Sequence, residues 1–164
     1  IRNGPGTMKI EHWQCQALFP EHQLAYLNLL GACVGGGGQP RHLQHCDTQK
    51  GDADLIWNPA EPTHMIEEKV RYGPDGLISS DDATFDTQLN DVLNLNLPVI
   101  RNNRKGVLDA VVQWLKAEKA RLQGPIPRER LQHEVKRRTA GDGELLPYCQ
   151  VAVWWLKQRL ARMS

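Results

Sequence analysis

Hydrophobic spacing separates an irregular stretch, roughly residues 1–60, from a more regular remainder. In the irregular part, short apolar runs are broken by Gly, Pro, Asn and Asp. MKIEHW reads as a short strand. QLAYLNLLGAC fits a turn of helix running into a strand, but its leucines satisfy both periods and the segment is too short to choose between them. Val34-Gly35-Gly36-Gly37-Gly38-Gln39-Pro40 reads as loop, because consecutive glycines lose more backbone entropy than a helix or strand normally recovers. This loop joins Cys33 to Cys46, and its expected role is a flexible connector that lets the second cysteine return to the first.

The pattern changes from Thr63 to Ile78, where HMIEEKVRYGPDGLI alternates about Gly-Pro-Asp-Gly and predicts two strands joined by a tight turn. SSDDATFDTQLNDVLNL has Ser/Asp caps ahead of Phe85, Leu89, Val92 and Leu93, a helical spacing that stops before Pro98. Residues 98–122 form the longest periodic segment. Val99, Leu108, Val111, Val112 and Leu115 lie on one face, Arg and Lys on the other, with Gly124-Pro125 as the stop. IPRERLQHEVKRRTA and LPYCQVAVWWLKQRLARM predict two further helices, each beginning near a proline. The sum is an α+β chain read in three parts: 1–62, a hairpin over 63–82, and an α-helical region over 83–164.

At 164 residues the chain suits one ordinary domain, and 40% hydrophobic with 24% charged residues excludes collagen-like, fibrous and largely disordered classes. No window approaches the roughly 18 consecutive apolar residues of a membrane span. IRNGPGTMKIEHW lacks the apolar centre of a signal peptide, so a cytoplasmic location is expected. The chain opens on Ile, which reads as a fragment or a processed product. The net charge of +1 conceals a split: residues 1–100 hold 6 Lys/Arg against 13 Asp/Glu, and residues 101–164 hold 14 against 6. Either the halves neutralise each other or the second half meets a polyanion or an acidic partner. With no secretion signal, Cys15, Cys33, Cys46 and Cys149 are expected as reduced thiols or metal ligands. Cys149, in an apolar helical stretch, is expected in the core.

The chemistry concentrates between Lys9 and Asp52. A Glu-His pair closes a strand, Asn28 follows sixteen residues after His12, and a cysteine-flanked glycine loop returns to Asp47. The joint pattern IEHW, NLLGAC, HCDTQKGD and LNLNLP resembles the HNH (ββα-metal) nucleases. It is closer to the PtuB group, which is paired with an ATPase in Septu-type and retron-linked antiphage systems of bacteria. The resemblance covers about residues 8–115.

The resemblance implies a ββα-metal core and a metal-dependent DNA endonuclease with an ATPase partner of the PtuA type. His12 would be the general base that takes a proton from the attacking water, a task suited to an imidazole with an unperturbed pKa of about 6.5. Asn28 would orient that imidazole by a hydrogen bond. Glu11 and Asp47 would hold one divalent cation, Mg²⁺ or Mn²⁺, whose hardness matches carboxylate oxygens. Asp47 stands where the pattern commonly has a final His or Asn, and Glu11 where Asp is commoner, which makes the site more anionic. Lys50, one helical turn beyond Asp47, would share its face and contact a phosphate. Cys33 and Cys46 correspond to half of the structural zinc site of many HNH proteins. The family's other two cysteines would lie upstream of Ile1, with Cys15, His42 and His45 as candidate substitutes.

Two other readings stay open: a non-catalytic interaction subunit whose degenerate site carries zinc or contacts nucleic acid, and an RNA-directed nuclease using the same residues. The glycine run has no Gly-Lys-Ser/Thr after it, which argues against a nucleotide-binding P-loop. RERLQHEVKRR (128–138) is open to DNA contact or ATPase docking, whereas Trp154 and Trp155 are expected to pack the helical core.

Overall fold

The computed structural model describes residues 6–139 and 145–163 and is a mixed α+β arrangement with two small antiparallel hairpins. It forms two compact units, the described residues of Ile1–Arg71 with Ile78–Pro98, and those of Tyr72–Leu77 with Val99–Ser164.

The first unit opens with β1 (Met8–His12) paired antiparallel to β2 (Leu29–Cys33), in a register that sets Glu11 opposite Leu30 and His12 opposite Leu29. The segment with two possible periods resolves into a 3₁₀ turn over Tyr26–Asn28 running directly into β2. After the glycine loop comes the short helix α1 (Cys46–Lys50).

The predicted first strand of the second hairpin is mostly helical. Pro62–His64 is a 3₁₀ turn capped by Glu61, which accepts from the Thr63 N–H at 3.1 Å, and Ile66–Lys69 is one turn of helix, α2. Met65, left-handed at φ 47°, breaks the alternation between them. Only Val70–Tyr72 (β3) and Ile78–Ser80 (β4) pair.

Asp82 caps α3 (Ala83–Thr87), accepting from the N–H groups of Thr84 and Phe85 at 2.9 and 3.0 Å. The helix then widens into a π turn over Gln88–Val92. There the Asn90 side chain donates to the Asp86 carbonyl at 2.7 Å, competing for the acceptor that its own N–H would use in an α-helix. Phe85 and Leu89 remain buried with Ile78 and Leu97.

In the second unit, α4 (Pro98–Leu122) buries Ile100, Arg104, Leu108, Val111 and Glu118. The expected stripe is therefore rotated: Val99 and Val112 are exposed, while Leu115 packs against the core. The hairpin tip explains Arg104, whose Nε donates to the Gly76 carbonyl at 2.6 Å. Gly76 sits at φ 82°, and a Cβ there would lie 2.2 Å from the Arg101 carbonyl, so only glycine fits. Val111, Ile126, Leu131, Ala152 and Leu156 form the core of this unit, contributed by α4, α5 (Arg128–Thr139) and α6 (Cys149–Ala161). Ala140, the end of the segment predicted for α5, lies outside the described residues. Cys149 is buried as expected, and Trp154 makes edge-to-face contacts with Tyr72 and Trp155. Among the described residues, no helix is long and apolar enough to cross a membrane.

The basic character of α5 is largely an internal matter. Arg130 pairs with the Glu118 carboxylate at 2.8 Å, Arg137 and Arg138 pair with buried Glu134 at 2.7 and 2.8 Å, and Arg128 donates to the Leu160 carbonyl. Four of the cations that made residues 128–138 a candidate docking segment thus have partners within the unit.

Candidate functional site

The site grows from the end of β1. Alternation along a strand sends Lys9 and Glu11 to one face, and α1 brings Asp47 towards them. Lys9 Nζ lies 2.7 Å from Glu11 Oε1 and 2.7 Å from Asp47 Oδ2, and the two carboxyl groups are within hydrogen-bonding reach of each other. Burial, and then the neighbouring Asp47, push the Glu11 carboxyl above its ordinary pKa against the pull of Lys9. Burial also works against the Lys9 ammonium, but its hydrogen bonds to Asp47 and Glu11 outweigh this and raise its pKa.

The two carboxylates expected to hold a cation therefore converge from separate elements, and an ammonium already bridges them.

His12, the next residue on β1, is held by the loop that follows. Its Nε2 donates to the Gln23 carbonyl at 2.9 Å. Asn28 is buried and engages that loop, not the imidazole. Its Oδ1 accepts from the Gln14 N–H at 2.8 Å, and its Nδ2 donates to the carbonyls of Gln14 and His22, each at 3.1 Å. The main chain of Asn28 also accepts from the Trp13 N–H at 2.9 Å, extending the β1–β2 ladder by one bond. The expected Asn28–His12 hydrogen bond is thus replaced by an indirect arrangement, with Asn28 shaping the loop and Gln23 holding the ring. Sequence reasoning missed Gln23 because a main-chain carbonyl leaves no residue signature.

Lys50 also departs from expectation. It is buried, and its ammonium donates to the carbonyls of His12 and Gly51, both at 3.3 Å. The side chain turns inward to brace the end of β1 and does not present itself to a phosphate. A cavity of about 460 Å³ is bordered by Glu11, His12, Asp47 and Lys50, with Leu30 and Leu93 also in its lining.

A second constellation lies beside the first. Ligand atoms of Cys33, His45 and Cys46 all fall within 4.8 Å of one another, a group that could hold a metal ion. His45 Nδ1 is 3.2 Å from Cys46 Sγ and 3.9 Å from Cys33 Sγ. The Cys46 thiol, with help from the Gly35 N–H and His45, lowers the Cys33 pKa to about 5 against the opposing effect of burial. Two sulfurs and an imidazole are the donor types that hold borderline-soft transition metals. Of the candidate substitute ligands, His45 joins this group, and Cys15 and His42 do not.

The glycine run is a shaped turn, in contrast to the flexible connector expected. The Gly35 carbonyl accepts from the His45 N–H at 2.9 Å, and the Gly37 N–H donates to Val34 at 2.8 Å. Gly35 has φ 55°, and a Cβ on it would lie 2.3 Å from the His45 carbonyl. The absence of a side chain at Gly35 is what lets the loop close upon His45. Asn94 adds a strut by donating to the Gln44 carbonyl at 2.8 Å, and Cys46 N–H donates to the Leu93 carbonyl at 2.8 Å, so the LNLNLP segment supports the turn that carries His45 and Cys46.

No protein-family model matches the chain, and no curated protein matches it in sequence.

Proposed function

We propose that the chain is a metal-dependent endonuclease of the HNH type that hydrolyses phosphodiester bonds in DNA, built on a ββα-metal core formed by β1, β2 and α1. The observation that carries this reading is that Glu11, His12 and Asp47 border one cavity, two carboxylates beside an imidazole. Glu11 and Asp47 would hold a divalent cation, which would supply charge neutralisation for phosphodiester hydrolysis.

The protein's own contribution centres on His12. Read as a donor to the Gln23 carbonyl, Nε2 carries the proton and Nδ1 is the basic nitrogen, with the Gln16 amide, 3.2 Å from Nε2, turned so that its oxygen faces the ring. Nδ1 then takes the proton of the attacking water. Asn28 fixes the loop that carries Gln23, and Lys50 fixes the main chain of His12 itself. The Cys33–His45–Cys46 group is read as a structural zinc centre that secures the turn leading into Asp47. An ATPase partner of the PtuA type follows from the family resemblance, as does a role in antiphage defence.

The test is cleavage of supercoiled plasmid with Mg²⁺ or Mn²⁺, wild type beside His12→Ala, each purified with the ATPase encoded next to it. Cleavage by the wild type alone supports the assignment; equal cleavage by both removes it. A labelled single-stranded RNA in the same assay separates the DNA reading from the RNA one, since a metal-bound phosphate does not report the sugar. The other reading is a non-catalytic interaction subunit stabilised by metal. It is favoured by Lys9, whose ammonium already neutralises the carboxylate pair.

A further inference from the structure

The carboxylate pair carries its own cation. Lys9 and Glu11 are two residues apart on one strand face, Asp47 comes from a different element, and the Lys9 ammonium touches one oxygen of each carboxylate at 2.7 Å. The Glu11 and Asp47 side chains are only 22% and 15% exposed, so little water competes for them, whereas Lys9 at 35% has an open route to solvent. Lys105 and Asp109 give a useful contrast: one cation meets one half-exposed carboxylate on the next turn of the same helix, a surface pair of ordinary kind.

We infer that Lys9 is a tethered counter-ion that competes with the divalent cation for Glu11 and Asp47, so that cation binding requires the ammonium to swing out and the side chain of Lys9 sets the cation concentration at which the site fills. This rests on the reading of Glu11 and Asp47 as cation ligands. The physical case is direct. A divalent cation bound to both carboxylates and an ammonium in contact with both would repel one another at contact distance in a partly buried site, where screening by water is reduced. The pair cannot hold both. The four-carbon stem of lysine lets the charge leave without movement of β1. The competition needs no change in protonation, because a charged ammonium is displaced as a charged ammonium. Lys9 is a positioning residue in this scheme; its effect on the reaction passes through the carboxylates.

The experiment is a Mn²⁺ titration of the full chain, followed by electron paramagnetic resonance, after Zn²⁺ has been supplied to fill the thiol group. Wild type is compared with Lys9→Met, Lys9→Gln and Glu11→Gln, and folding of each is checked by circular dichroism. The expected result is that both Lys9 variants bind Mn²⁺ at least about tenfold more tightly than wild type, while Glu11→Gln binds it much more weakly. Wild-type or weaker affinity in folded Lys9 variants, with binding still lost in Glu11→Gln, overturns the role of Lys9 and leaves the carboxylate site standing. Unchanged binding in Glu11→Gln, or no binding by wild type and Lys9 variants at millimolar Mn²⁺, overturns the carboxylate site and the inference with it. A measurement on the wild type covers the case in which the Lys9 variants do not fold. With ¹³C-labelled lysine, the Lys9 Cε resonance should move as Mg²⁺ is added; a resonance that stays fixed while Mg²⁺ binds overturns the exchange.

Discussion

The Nε2–H of His12 points at the main-chain carbonyl of Gln23, 2.9 Å away, so the ring is held by a group that no substitution at Gln23 can delete. The contact restrains the ring, and with the proton on Nε2 it leaves Nδ1 for the base role proposed above. Replacing His12 by Ala should lower plasmid cleavage by at least about 100-fold. The side chain is only partly buried, so the unfolding free energy from chemical denaturation should stay within about 0.5 kcal/mol of the wild type. A large loss of stability would show that the ring is chiefly structural.

Asn28 gives a different signature. Its side chain makes three hydrogen bonds in a buried setting, all to the main chain of the loop after β1. Asn28→Ala should cost about 1–3 kcal/mol in urea denaturation, because Gln14 and His22 lose their partner groups. Asn28→Asp retains the acceptor for Gln14 but sets a buried carboxylate oxygen against the carbonyls of Gln14 and His22, so at neutral pH it should be no more stable than the Ala variant. Cleavage should fall with the order of the loop. An Asn28 variant with full stability and no activity would instead point to direct contact with the reacting groups.

How far the chain could be read in advance depended on what each feature leaves in the letters. The strand at Met8–His12, the long helix from Pro98 and the cap at Asp82 carry period, proline and cap signals, and each was legible. Glu11, His12 and Asp47 were singled out together by the family resemblance, and the structure sets them around one cavity. The contacts between them were not legible. Lys9 reads as an ordinary strand-face lysine until α1 brings Asp47 beside it, and Lys50 reads as a surface lysine until burial turns it towards the His12 carbonyl. The Thr63–Lys69 segment misled because its alternating apolar residues also suit a pair of tight turns, and left-handed Met65 decided between them. In the helical unit, Arg104 and Glu118 occupy stripe positions that an apolar pattern would assign to hydrophobic residues, which rotated the expected face.

Cys33 allows a prediction about pH. Its folded pKa of about 5 lies below the ordinary thiol value of 9.0, chiefly through the Cys46 thiol. A depressed acid contributes stability that is complete above the unfolded pKa and is lost as pH falls through the folded one. In the metal-free protein the Cys33 contribution should therefore shrink steadily between pH 9 and pH 5. Cys33→Ser should flatten the slope of melting temperature against pH in that window. Iodoacetamide should also modify Cys33 well below neutral pH, in contrast to an ordinary thiol.

Zinc should suppress that reactivity. With Cys33, His45 and Cys46 as ligands, one equivalent of Zn²⁺ should protect Cys33 from alkylation and raise the melting temperature, and a chelator should reverse both. Cys46→Ser and His45→Ala should each weaken the protection. A melting temperature indifferent to zinc and to chelator would remove the structural metal from the account of this turn.

Gly35 is the sharpest steric test of the same turn. A methyl group at this position would lie 2.3 Å from the His45 carbonyl and 2.7 Å from Thr48 Oγ1, and the backbone is already left-handed at φ 55°. The threonine hydroxyl can rotate, but Thr48 Cβ, 2.9 Å away, and the His45 carbonyl cannot yield without moving the main chain. Gly35→Ala should therefore cost about 1–3 kcal/mol of stability and lower zinc affinity together. Gly38→Ala separates strain from clash, since Gly38 has φ 82° but nothing within 4 Å of the added methyl. It should lose about 1 kcal/mol from the left-handed backbone alone and keep wild-type zinc affinity. Equal zinc affinity in the two variants would mean that the glycine run supplies chain flexibility and does not shape the His45 contact. A selective loss in Gly35→Ala would tie the bare backbone at that position to the geometry of the ligand group.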